Sequence, residues 1–134
     1  MASMADITVK KNDGTTDIVF AAKVPSSGDT VNALWRSDAN AAPYPGLKPE
    51  FKLSSRWNAD KTARRLDFVG TYHSYYTDSA TTVSSKLGTI VFTGSVAIPQ
   101  QLPSADINEG VSQLTNLLVS TLVRTALKEG FAPT

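Results

Sequence analysis

The sequence contains no cysteine and only one histidine. The first absence excludes disulfide staples and thiolate zinc sites, and suits assembly in a reducing cytosol. The single histidine, His73, has no nucleophile beside it in any recognisable pattern. No phosphate-binding glycine loop, zinc-ligand spacing or nucleophile elbow occurs either. The chain is therefore expected not to be an enzyme, and to use no cofactor, metal or small-molecule substrate. No apolar stretch reaches the length of a membrane span, so no membrane partner is expected. Met1 to Ala5 has neither the basic region nor the apolar run of a signal peptide. Met4 offers an alternative start, which would make Met1-Ala2-Ser3 an addition.

A large charge excess is also missing. Thirteen basic and 12 acidic residues leave a formal charge of +1, whereas nucleic-acid binders often show a marked basic surplus. The distribution is less even than the total. Lys52, Arg56, Lys61, Arg64 and Arg65 crowd into one short stretch, so the middle of the chain is locally basic.

What is present fits one folded domain. The chain has 134 residues, 41% hydrophobic and 19% charged, too apolar and too weakly charged for disorder. A domain this small keeps much of its surface wet, so association can add substantial burial.

Ile7-Thr8-Val9-Lys10 alternates apolar and polar residues, Asn12-Asp13-Gly14 supplies a turn, and Ile18 to Ala21 follows. Residues 1–24 thus read as a β-hairpin. Pro25 to Asp29 is a loop, Val31 to Trp35 a short strand, and Ala39 to Gly46, with Pro43 and Pro45, a second loop. The clearest strand signal is Pro49 to Trp57. Phe51, Leu53 and Trp57 fall on one face, while Glu50, Lys52, Ser54 and Arg56 fall on the other. After a turn at Asn58-Ala59-Asp60, Thr62 to Tyr75 continues the alternation. Leu66, Phe68, Gly70 and Tyr72 share one side, and Arg65, Asp67, Val69, Thr71 and His73 the other. Thr77 to Ser85, rich in Ser, Thr and Asp, reads as a mobile connection. Leu87 to Ile98 is a long strand with Ile90, Phe92, Val96 and Ile98 on one face and Thr89, Val91, Thr93 and Ser95 on the other.

Beyond Pro103 the period lengthens from two residues to about 3.6. Ile107, Val111, Leu114, Leu118 and Leu122 form an apolar stripe. Ser104 or Asp106 serves as N-cap, and Asp106 with Glu109 has capping-box spacing. Gly110 inside this pattern suggests close packing, Val119-Ser120-Thr121 a kink, and Gly130 the stop. The fold class expected is α+β: an N-terminal hairpin, an antiparallel meander over residues 31–98, then two helices over 104–129.

A sheet with one apolar face needs a cover. A helix of about fifteen residues is only about 22 Å long and cannot roof five or six strands. A second copy solves the problem if two sheets join edge to edge and each helix pair lies over its partner. A single chain folding its helices onto its own sheet is the other solution.

The order of these elements resembles the coat proteins of the small single-stranded RNA bacteriophages, the levivirus family. The resemblance runs from the Asn12-Asp13-Gly14 hairpin through Val31-Asn32-Ala33-Leu34-Trp35. It continues through the strands Lys52 to Arg56 and Arg64 to Phe68, a strand ending Ala97-Ile98-Pro99, the acidic helix start at Asp106, and a tail near Ala132-Pro133. It implies one coat-protein domain, 1–134, forming a dimer with a continuous sheet covered by interlocked helices. Ile107, Val111, Leu114, Leu118 and Leu122 would lie at the dimer interface. Such dimers tile an icosahedral shell, assembled in the bacterial host cytoplasm and found in the virion. The inner sheet face would bind a stem-loop of the single-stranded genome, acting also as a translational repressor.

By that resemblance the RNA-binding residues are Asn32, Lys52, Ser54, Arg56, Arg65, Thr89, Val91 and Thr93. Arg and Lys would neutralise phosphates, and Ser, Thr and Asn would bond sugars or bases. Val91 stands where several members place a tyrosine on which a base stacks, and Ala63 replaces a polar residue. Asp67 and Glu50 interrupt the basic face, and pairing with Arg65 and Lys52 would account for them. Trp35 and Trp57 read as core or interface anchors. Tyr72, Tyr75 and Tyr76 read as one cluster of interface or loop anchors. A non-viral dimeric α+β module binding RNA or protein is the competing reading, since alternating Lys and Arg on a strand commonly serves solubility alone.

Overall fold

The structure, a computed structural model, describes residues 2–38 and 44–134. Met1 and most of the loop expected from Ala39 to Gly46 lie outside the described residues. The chain divides into two units, Met1–Ala97 and Ile98–Thr134, each taken in turn.

The first unit is built on a six-stranded meander whose spatial order follows the sequence. Strands β1 (Ile7–Lys10) and β2 (Asp17–Val24) form the expected hairpin, with Ile7 opposite Phe20 and Lys10 opposite Asp17. Gly14 sits at the turn with φ +74, a region that side chains rarely enter. The Thr16 hydroxyl and the Thr16 and Thr15 amides donate to Asp13, lowering its pKa to about 2. The remaining strands are β3 (Ala33–Arg36), β4 (Glu50–Trp57), β5 (Ala63–Thr77) and β6 (Ser84–Pro99).

Two segments in particular differ from the sequence expectation. The third strand begins at Ala33 rather than Val31. Thr30 takes a positive φ of 67, and the Val31 amide turns back to the Gly28 carbonyl at 3.3 Å, which keeps this segment out of the ladder. The β5–β6 connection is also shorter than its composition suggests. The Thr77 and Ser84 hydroxyls bond at 2.9 Å across the strand ends, and the Asp78 amide reaches the Val83 carbonyl at 2.9 Å. Hydroxyl side chains that usually mark a loop here make cross-strand pairs.

The buried apolar residues among those described are Ala33, Trp35, Pro49 and Ala63. The Trp35 ring packs 5.8 Å from Phe51, and its Nε1 donates to the Ala5 carbonyl at 2.8 Å. Further along the same face Phe68 and Phe92 stack at 5.7 Å. Gly94 gives that stack its room, because a Cβ there would lie 2.3 Å from the Phe68 ring. Gly94→Ala is therefore expected to destabilise the chain by about 1–3 kcal/mol through overpacking. Adding Phe68→Leu should recover part of that loss in a denaturant titration. Full additivity of the two changes would argue against the contact.

The second unit holds α1 (Ser104–Leu118) and α2 (Thr121–Glu129). Pro103, rather than Ser104 or Asp106, occupies the N-cap, and its carbonyl accepts from the Asp106 and Ile107 amides at 3.1 Å each. Asp106 remains in the first turn, favourably placed at the positive end of the helix dipole. The expected kink is a full break. Ser120 is extended with ψ 151, and its hydroxyl donates to the Leu117 carbonyl at 2.7 Å. Leu122 consequently lies on α2 and not on the α1 stripe. Gly130 ends α2 in the left-handed region at φ +78, as expected. Gly110 does not pack closely within the protomer, since nothing lies within 4 Å of where its Cβ would be.

Candidate nucleic-acid interface

The ladder between β4 and β5 sorts the side chains. Phe51 pairs with Gly70, Leu53 with Phe68 and Ser55 with Leu66, giving one mainly apolar face. Lys52 pairs with Val69, Ser54 with Asp67 and Arg56 with Arg65, giving a hydrophilic one. Strand β6 joins the same scheme through side-chain contacts. Phe92 meets Phe68 on the apolar face, while Thr89 bonds His73 and Ser95 contacts Arg65 on the hydrophilic face. Strand alternation then places Val91 and Thr93 on the hydrophilic face too. Lys52, Ser54, Arg56, Arg65, Thr89, Val91 and Thr93 thus share one surface. Asn32 lies just before β3, outside the ladder, and is exposed.

The basic residues of this face are not independent. Arg56 and Arg65 stand directly opposite each other, a repulsive arrangement for like charges. Asp67 relieves it. The Arg56 Nε donates to Asp67 at 2.8 Å, and Arg65 adds its field to the same carboxylate. With Arg56 as the main cause and the Ser95 hydroxyl next, Asp67 is held below the usual carboxylate range. Its partner is therefore Arg56, not the expected Arg65. Arg65 contacts the Ser95 hydroxyl at 3.4 Å, and its Nε has no hydrogen-bond partner among the described residues. Glu50 does pair with Lys52, loosely, at 3.9 Å.

At one end of the sheet, Asp38 gathers Lys23, Arg36 and Lys48. Lys23 is the leading cause of a strongly lowered Asp38 pKa. On the apolar side, Arg64 makes a two-pronged bond to Asp29 at 2.9 and 2.7 Å and lies 4.9 Å over the Trp57 ring. These clusters were invisible in the local pattern, because Asp29 is separated from Arg64 by 35 residues.

The apolar surfaces are incompletely covered. A cavity of about 550 Å³ opens against Trp35, Leu53 and Leu66, and Ile90 is 67% exposed. In the second unit, Leu114 and Leu122 are each 65% exposed, and Val111 and Leu118 are exposed as well. Ile107 is half-buried.

A scan against protein-family models and a search of curated proteins find no match. Solved structures, in contrast, are similar over nearly the whole chain. The virus-like particle of bacteriophage NT-214 has TM-score 0.80 at 12% identity, covering 99% of this chain and 100% of that one. The virus-like particle of Beihai levi-like virus 21 has TM-score 0.78 at 14% identity, covering 99% and 98%. The capsid protein of bacteriophage GA has TM-score 0.73 at 12% identity, covering 98% of each chain. Identity this low speaks for the backbone architecture. The chain has the coat-protein fold of the levi-like RNA bacteriophages.

Proposed function

We propose that this chain is the coat protein of a small RNA bacteriophage, a structural protein without catalytic activity. It dimerises, builds an icosahedral shell and binds single-stranded RNA on its hydrophilic sheet face. The observation that carries the reading is the end-to-end likeness to coat proteins and virus-like particles, which leaves no segment for a different fold.

The surface supports association. Large apolar side chains stand in water in each unit: Ile90 is 67% exposed in the first, and Leu114 and Leu122 are 65% exposed in the second. Ile107, Val111, Leu114, Leu118 and Leu122 supply the dimer contacts in this reading, and shell contacts take up the rest. Asn32, Lys52, Ser54, Arg56, Arg65, Thr89, Val91 and Thr93 face the RNA. Recognition of one genomic stem-loop on this face would repress translation of the bound message. The protein would assemble in the host cytoplasm and reside in the virion.

Negative-stain microscopy of the expressed chain tests this. Uniform closed particles are expected, and a stable small dimer that never assembles would favour a non-viral module instead.

The position of Asp67 makes a sharper prediction. Asp67→Asn removes the carboxylate that occupies Arg56 and frees that cation for phosphate. RNA affinity should rise, and the logarithmic salt dependence should steepen by about 0.7 for the one added phosphate contact. Filter binding across a salt series measures both; a flatter slope would count against Arg56 facing RNA.

A further inference from the structure

The hydrophilic face has a second region, distinct from its arginines. Alternation along β5 separates the tyrosines that looked like one cluster. Tyr72 and Tyr76 fall on the apolar side, whereas Tyr75 shares the hydrophilic side with His73. The His73 ring is pinned there by its Nδ1, 2.8 Å from the Thr89 hydroxyl. Both residues are half-buried. On β6, Val91, two residues from the Thr89 that holds His73, is 58% exposed. The carboxylate and the arginines of this face, Asp67, Arg56 and Arg65, lie toward the opposite end of the strands. From residue 65 to residue 73 a strand advances about 27 Å, several nucleotides of extended RNA.

We propose that His73 and Tyr75 form a stacking subsite for unpaired nucleobases of single-stranded RNA. The inference rests on the reading of this face as RNA-binding and adds a division of labour to it. Arg65 takes phosphate at one end, beside the Arg56–Asp67 pair. The ring end takes bases, because each ring offers a π surface on which a base can stack. Strand alternation gives the two rings a common face, and the Thr89 bond fixes the orientation of one.

Photocrosslinking tests it. RNA that copurifies with the full-length chain is irradiated, and nucleotide adducts are located by mass spectrometry. Adducts are expected on His73 or Tyr75, and none on Tyr72 or Tyr76. His73→Gln, which keeps a hydrogen-bonding group for Thr89, combined with Tyr75→Leu should lower adduct yield in this segment about tenfold. His73→Ala with Tyr75→Leu should do the same, and Tyr72→Leu should leave the yield unchanged. Copurifying RNA with adducts confined to the arginine end would overturn the stacking subsite and leave the RNA-facing surface standing. Absence of copurifying RNA, or adducts only on the apolar face, would remove the RNA reading itself, and this inference with it.

Discussion

Aspartate at both Leu114 and Leu118 is expected to abolish association of the chain. The two leucines lie one helical turn apart on α1 and are exposed in the single protomer. If a second copy covers them, each contributes about 1.5–3 kcal/mol by leaving water. Two-fold symmetry counts both twice, so roughly 6–12 kcal/mol of association is removed. That is comparable to the whole net stability of a domain. Aspartate adds the further cost of carrying a carboxylate into an apolar contact. Light scattering after size exclusion should then report a 14.3 kDa species or insoluble chain, because obligate dimers often have no stable folded monomer. Leu114→Ala alone should give an intermediate effect, with weaker particles at low concentration. Particles of unchanged size and stability from the double variant would remove α1 from the interface.

The same leucines show what was legible before the structure. Their spacing of three and four residues marks a helix with a dry stripe, and α1 follows it from Ser104 to Leu118. Periodicity alone could not show that the stripe is interrupted. The break depends on Ser120, whose hydroxyl captures the Leu117 carbonyl and competes with helix continuation. The strands behave alike. Alternation in Glu50–Trp57 assigns each side chain to a face, and the ladder agrees at every pair. Parity does not set the offset between strands, however. Which arginine reaches Asp67 depends on a diagonal contact across that offset, and the answer was Arg56. The split of the tyrosines is a parity effect that clustering in sequence hides. Tyr75 and Tyr76 are adjacent in the chain and on opposite sides of the sheet. The Arg64–Asp29 clamp is a further kind of case, since a loop carboxylate finds its partner only once the meander has folded.

Arg56→Ala combined with Arg65→Ala should sharply reduce the RNA carried by the protein while leaving its fold and association intact. The structural cost is small. Neither side chain belongs to the apolar core, and removing both abolishes a repulsive pair directly across the ladder. The electrostatic change is large for so small a surface. On β4 and β5, Lys52, Arg56 and Arg65 oppose Glu50 and Asp67, and the double variant leaves those two strands with one cation against two carboxylates. Asp67 loses the arginine that held it low and becomes a free repulsive charge beside any phosphate. Losing the Arg65 phosphate contact should flatten the logarithmic salt dependence of single-strand binding by about 0.7, and the unmasked Asp67 carboxylate should lower the affinity further. The ratio of absorbance at 260 to 280 nm in purified particles should fall accordingly. Arg56→Lys with Arg65→Lys keeps both charges but not the planar donor fork, so the slope should survive while affinity drops modestly. Restored slope in the lysine variant distinguishes phosphate neutralisation from a purely structural role. If the alanine variant packages as much RNA as the parent, with the same response to salt, the hydrophilic sheet face is not where this protein meets its genome.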